Sequence, residues 1–403
     1  MKSKYNFNAN QWITIAICFL LAMLCNAITS DSENVILPML AKENGWDYYG
    51  KVLTIVSAAG VLSVIGNFVL GKLCETKGAK FVIIFSLIAG AFFVFLYGTS
   101  ANYIVLLIGL IGTISCGQSL FYLGVNAIVS NWFSDNNGIA MGFISVGPPV
   151  ATVVMVSLLT FVIRALGTRG GIFVICGVLL LVALLCAFLI HDAPKDMGVS
   201  ALKEETDTGV STRKILRTPA LWLIILSIGI CSMAQTGLMA QWIVRYNGTI
   251  FSSQAGWMMS LCAVVGIFGS MIAGSIENKL GIKRGYAFLA IWFVIALVFN
   301  FTNLPVLVYI SIPMFGLIIT MFQIFMPLFV NAVFGREGFK QANAIVFPLT
   351  GLMGQLTFLV IALCKNAFGD VRYAYLIYAA LIIISIFFVI ALPNEDKEQS
   401  AHP

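Results

Sequence analysis

Gly71-Lys72-Leu73-Cys74-Glu75-Thr76-Lys77-Gly78-Ala79-Lys80 follows the second long apolar stretch of the chain. Gly274-Ser275-Ile276-Glu277-Asn278-Lys279-Leu280-Gly281-Ile282-Lys283 follows the eighth. The pattern Gly-x6-Gly-x-Lys therefore returns after 203 residues, at the same place in each half. So short a pattern could arise once by chance, but its return at an equivalent position marks an internal repeat. The glycines permit a tight loop and close helix approach, and the lysines supply charge where apolar helices end.

Working outward from these loops, a helix needs about 20 mostly apolar residues to cross a bilayer. By that measure the first half holds spans near residues 11–40, 47–73, 81–99, 102–132, 139–165 and 170–190. The second half holds spans near 219–246, 253–277, 285–303, 304–333, 341–366 and 371–392. Asn303-Leu304-Pro305 must then serve as a tight turn. Residues 191–218 are the only long polar stretch between spans. The expected fold is an all-α membrane protein with twelve transmembrane helices in two six-helix bundles. Residues 1–190 would form the N-terminal bundle, 191–218 a cytoplasmic linker, 219–392 the C-terminal bundle and 393–403 a cytoplasmic tail. The apolar run after Lys2 and Lys4 is too long for a cleavable signal peptide and reads as a signal-anchor helix.

Composition agrees. Of 403 residues 60% are hydrophobic and 10% charged, against roughly 45–50% and 25% in a soluble domain. The two histidines, His191 and His402, lie outside the apolar runs, and the nine cysteines form no C-x-x-C pair. Neither a metal site nor a disulfide framework is indicated. A membrane enzyme would need a nucleophile–base pair or metal ligands within the spans, and none is evident, so no enzyme and no cofactor are expected. A membrane sensor usually carries an output domain, for which the linker and tail are too short. The net charge of +6 follows from topology rather than from a nucleic-acid partner. Lys42, Lys51, Arg164, Arg169, Arg245, Lys365 and Arg372 fall on one side, and the other sixteen Lys and Arg on the side of both termini. The positive-inside rule makes that side cytoplasmic. A multi-pass protein of the cytoplasmic membrane is expected.

The repeated loops and the six-plus-six plan resemble the major facilitator superfamily over nearly the whole chain. Parallel repeats of this kind are one of the known builds of secondary transporters. Trp132-Phe133-Ser134-Asp135-Asn136-Asn137-Gly138-Ile139-Ala140-Met141-Gly142, with Gly147 beyond, resembles the entry to the fifth helix in monocarboxylate porters and oxalate/formate antiporters. Glu43-Asn44-Gly45-Trp46 is similar to the latter group, although Asp135-Asn136-Asn137 stands where those families carry a basic cluster. The resemblance implies a transporter working by alternating access on a small organic anion, by proton symport or anion exchange. It implies a latch built from Gly71, Lys77, Gly78, Lys80, Gly274, Gly281 and Lys283. It also implies a cavity lined by helices one, four, seven and ten. The expected partners are a small-molecule substrate, the lipid bilayer and a coupling proton or counter-anion, with no nucleic acid, and the protein is expected to act as a monomer.

Within those helices the polar candidates for substrate binding are Asn26, Gln118, Tyr122, Gln235, Thr236, Thr320 and Gln323, with Gln355 in helix eleven. An amide in hydrocarbon without a partner costs several kcal/mol, roughly, so each faces protein or water. Helix–helix hydrogen bonding is the plain alternative for every one. Gln241 and Arg245 close the outer end of helix seven, where Arg245 could attract an anion. Asp31 and Glu33 are the deepest carboxylates and the coupling candidates, unless Ser30-Asp31-Ser32-Glu33 is a solvated break. Pro148 and Pro149 near the middle of helix five remove backbone donors and mark a bend suited to gating. Helix eight between Ser260 and Ser275 carries no charge, and helix eleven none before Lys365. The resemblance implies an embedded Arg in helix eight that holds the anion, with a Lys in helix eleven in the oxalate branch, and these stretches have neither. A neutral or zwitterionic metabolite, or drug efflux, remains an alternative.

Overall fold

In the computed structural model, residues 7–133, 137–193, 212–246, 248–319 and 321–392 are described. They are helical almost throughout, and the helices are those the apolar runs demand. The first span, Ala9–Glu43, is one rod of three parts: an α-helix to Asn26, a π-helical turn Ala27–Asp31, and an α-helix Ser32–Glu43 containing Pro38. The second and third run over Tyr48–Cys74 and Ala79–Gly98, and the fourth over Tyr103–Trp132 with its own π-turn, Leu120–Val125. The fifth begins as Asn137–Ile144 and resumes at Gly147. The prolines therefore open a new helix after a break at Ser145 and Val146, instead of bending one at its middle. Proline suits a first turn, where its missing N–H has no partner to lose.

From Gly147 to Leu189 the helical assignment continues, but Gly167 has φ +75° and divides the fifth span from the sixth. Gly335, with φ +64°, does the same within Met321–Gln355, between the tenth and eleventh spans. The seventh span is Pro219–Ala240, extended by Trp242–Tyr246. Ala255–Leu280, Ile282–Phe301 and Pro305–Ile318 follow, the last resuming at Met321. Thr357–Phe368 completes the eleventh and Tyr373–Ile390 is the twelfth. The 303/304 turn is made as expected. Asn303 is the one non-glycine residue at positive φ, +58°, among the described residues, a conformation asparagine tolerates better than most.

The chain divides into two compact units: Met1–Ala201 with Ala240–Ser260, and Leu202–Met239 with Leu261–Pro403. Each has a buried apolar core. In unit 1 it includes Leu21, Val82, Leu87, Leu110 and Leu179; in unit 2, Phe293, Phe315, Phe325 and Phe358. Large apolar side chains also cover the outside, with Phe68, Ile104, Phe161 and Phe188 all more than 60% exposed. Such a surface could not persist in water; against hydrocarbon it is the favoured one.

Candidate functional site

The π-turn of the first span shapes the site. Inserting an extra residue into the helical ladder re-aims side chains, and such turns recur at functional positions. Here Asn26 and Asp31, five residues apart, meet: Asn26 Nδ2 donates to Asp31 Oδ2 at 3.0 Å. The same amide donates to Thr152 Oγ1 at 3.0 Å, and Thr152 donates to Asp31 Oδ1 at 3.0 Å. Both oxygens of a carboxylate that is 1% exposed thus receive a hydrogen bond from neutral donors. The fourth member is the Pro148 carbonyl, 3.4 Å from Asn26 Nδ2.

Close helix crossings hold this cluster. A Cβ added to Gly147 would lie 2.8 Å from the Phe19 carbonyl oxygen, and one added to Gly117 would lie 3.0 Å from Ile28. The first span thus meets the backbone of the fifth before the π-turn, while the side chains of Ile28 and Thr29 in the turn itself pack on Gly117 of the fourth. Glu33 is 3% exposed, and its Oε1 has no hydrogen-bond partner among the described residues. Asp31 and Glu33 are thus not a solvated break; both are inside unit 1.

Further along the same unit, the Tyr48 hydroxyl donates to Gln241 Oε1 at 3.1 Å. Gln241 and Arg245 are 6% and 4% exposed, and the Arg245 guanidinium lies 5.2 Å from the Tyr246 ring centre. Trp242, fully buried, donates its indole N–H to the Ala255 carbonyl at 3.0 Å. The segment Ala240–Ser260 carries this pair into unit 1. Beyond it, Thr168 donates to Glu43 Oε1 at 2.5 Å and ties the first span to the sixth.

Two of the other amide candidates bond to a neighbouring helix. Gln118 accepts from Asn67 Nδ2 at 2.6 Å, and Asn67 Oδ1 accepts from Ser119 at 3.4 Å. Gln235 donates to the Ile319 carbonyl. Tyr122 lies in the fourth span's π-turn against Phe121. Thr236 lines a close approach to Gly354, whose added Cβ would sit 3.2 Å from its Oγ1. Gln355 ends its helix just before Thr357 starts the next. Thr320 lies outside the described residues, as does the side chain of Gln323. The sequence reading missed Thr152 and Asn67. Thr152 stands one helical turn after Pro148, a signal visible in retrospect, but its partner Asp31 is 121 residues away.

The repeated loops have matching geometry. Gly78 has φ 89° and ψ 165°, Gly281 φ 79° and ψ 164°. These are angles that glycine alone adopts freely. Lys80 Nζ donates to the Ala187 carbonyl at 2.7 Å, and Lys283 Nζ to the Leu392 carbonyl at 2.5 Å. Each lysine thus binds the end of the last span in its own unit, where helix carbonyls lack partners. The Lys80 amide also donates to Asp192 Oδ1 at 2.7 Å. Lys77 is exposed, with its ammonium 4.6 Å from the Phe81 ring centre. Gly71 and Gly274 lie within helices that lead into the two loops.

Comparison with known proteins agrees with this architecture. No curated protein matches the chain in sequence. Among solved structures, an inward-facing, unoccupied bacterial homolog of the human lysosomal transporter Spinster aligns with a TM-score of 0.65 at 14% identity, covering 96% of each chain. The occupied form of that transporter aligns at 0.70 and 13% identity, over 96% of this chain and 97% of its own. A point mutant of the nucleoside transporter NupG aligns at 0.73 and 14% identity, over 96% of this chain and 100% of its own. At such identities the likeness is one of fold. The sequence profile of the Major Facilitator Superfamily matches residues 19–354. With twelve spans and a match over most of its length, the chain belongs to the Major Facilitator Superfamily and is a membrane transporter rather than an enzyme.

Proposed function

We propose that the protein is a secondary active transporter moving a small organic anion across the cytoplasmic membrane by alternating access, through proton symport or anion exchange. Both termini would be cytoplasmic. The observation that carries the coupled reading is the Asn26–Asp31–Thr152 cluster. A carboxylate inside a membrane span is costly and is kept for a function. Proton uptake there needs no refolding, because the Thr152 hydroxyl can turn from donor to acceptor. Arg245, 4% exposed and beside Gln241, is the proposed anchor for the anion. Asn26 belongs to the coupling cluster, while Gln118 and Gln235 hold helices in place. The glycine–lysine loops and the break before Pro148 and Pro149 are the proposed gating elements.

A second reading is favoured by the uncharged stretch between Ser260 and Ser275 and by the lack of charge in the eleventh span before Lys365. A desolvated carboxylate needs a paired charge or several donors, whereas amides and hydroxyls suffice for a neutral or zwitterionic metabolite. A thermal-shift panel of carboxylates, amino acids, polyols and cations on the purified protein separates the two. A ligand at 100 times its Kd stabilises the folded state by about 2.7 kcal/mol. The anion reading expects a carboxylate to shift the wild type and to fail with Arg245→Gln. A shift only with a neutral or zwitterionic compound would establish the second reading instead.

A further inference from the structure

On the outer surface of unit 1, between the second, third and fourth spans, a groove of about 330 Å³ lies open. Val69, Leu70, Phe85, Phe93, Ile108 and Gly112 line it. Ser115 at its floor presents no free hydroxyl, since it bonds back to the Ile111 carbonyl at 2.7 Å and reaches the Ser63 carbonyl at 3.1 Å. At its floor Gly66 and Gly112 let neighbours approach closely: a Cβ on Gly66 would meet the Ser115 side chain, and one on Gly112 would enter the Phe93 ring. Its walls face outward, with Val69 58% and Ile108 48% exposed. In a spanning protein that exposure is to hydrocarbon, and a gap left empty there forfeits dispersion contacts along its whole lining.

One end of the groove differs from the rest of the apolar surface. Phe85 stacks on Phe81, with ring centres 6.2 Å apart and planes 13° from parallel. Phe81 carries the Lys77 ammonium over its face at 4.6 Å. Lys72, also exposed, follows Leu70 by two residues. A basic rim therefore leads over an aromatic step into an apolar channel. From Phe85 to Phe93 the third span rises about 12 Å, close to the depth of one leaflet's share of a hydrocarbon core about 30 Å thick.

We propose that this groove is a binding site for an anionic phospholipid. One acyl chain lies along it from Leu70 and Phe85 towards Ile108, and the phosphate meets Lys72 and Lys77. The leaflet is the one at the lysine end, cytoplasmic in the orientation proposed above. The site needs only unit 1 and does not depend on what the protein transports.

Native mass spectrometry of the full chain, purified in detergent and offered equal phosphatidylglycerol and phosphatidylcholine, tests the site. At about 1 kcal/mol for each basic residue near a headgroup, the preference for phosphatidylglycerol should be about fivefold per lysine. Lys72→Gln with Lys77→Gln should abolish the preference while the protein still retains lipid. Val69→Trp and Ile108→Trp, on different helices, should each fill the groove and lower retention of both lipids. If one of the two misfolds, judged by elution profile, the other decides. Equal retention of the two lipids by the wild type would overturn the proposal, and so would unchanged retention in the tryptophan variants. Dimers that the tryptophan variants dissolve, without bound lipid, would make the groove a contact between copies and overturn it as well.

Discussion

Asp31 is the residue on which the coupled reading turns. Asp31→Asn removes the charge while keeping a side chain able to bond Asn26 and Thr152. In liposomes loaded with substrate, this variant should still exchange labelled substrate but lose accumulation driven by a pH gradient. Accumulation equal to the wild type would sink the coupling role. Thr152→Val acts differently. It strips Asp31 Oδ1 and Asn26 of a partner inside a buried site, and an unsatisfied buried group costs about 1–3 kcal/mol. Its melting temperature in detergent should therefore fall further than that of Asp31→Asn. Asn303 offers a cleaner test of backbone strain. Asn303→Ala should destabilise by about 1 kcal/mol, because at a φ of +58° both residues carry a crowded Cβ but alanine lacks the short polar side chain that offsets it by local hydrogen bonding. Asn303→Gly should match or exceed the wild type, and a melting curve for each distinguishes the two outcomes. At this scale the sequence exposed its ionisable residues readily. A carboxylate such as Asp31 is conspicuous in an apolar run, whereas Thr152 is one hydroxyl among many.

The repeat operates at the scale of elements. Gly78 and Gly281 turn the chain between consecutive spans at nearly identical angles, and Lys80 and Lys283 then cap the last helix of their own units. Gly78→Ala and Gly281→Ala should each lower stability by about 1–3 kcal/mol, since no other residue enters that region cheaply. The open space around the Gly281 position means the cost there is conformational and not steric. Lys80→Met should cost less, on the order of 1 kcal/mol, because its single charged bond is partly exposed to water. A melting series of the three variants checks this order, and a Lys80→Met loss exceeding both glycine losses would show that the cap outweighs the turn. The spans were legible because apolar length is additive along the chain. The breaks were only partly so. Pro148 and Pro149 announced one, but its place before the prolines depends on which carbonyls lose their donors. The π-turns at Ala27–Asp31 and Leu120–Val125 left no mark in the local pattern, and the packing of Ile28 and Thr29 on Gly117 joins residues about 90 apart in the chain.

For the whole molecule, the distribution of Lys and Arg predicts sidedness. In a cysteine-free background, Lys42→Cys should react with a membrane-impermeant maleimide in intact cells, and Lys279→Cys only after permeabilisation. Both positions are exposed, so the reverse pattern would invert the proposed orientation. The amino-acid sequence alone determined that this chain lives in a bilayer, that it has twelve spans and that they form a duplicated set. Those properties are sums over local hydropathy or matches between distant segments, and neither needs a contact to be known. Tertiary structure alone decided which polar residues share a site. Asp31 finds Thr152 across 121 residues, Gln118 is consumed by Asn67, and Ala240–Ser260 joins unit 1. The physical reason is that a buried polar group must find its partner wherever packing places one, and packing joins residues that the chain keeps far apart.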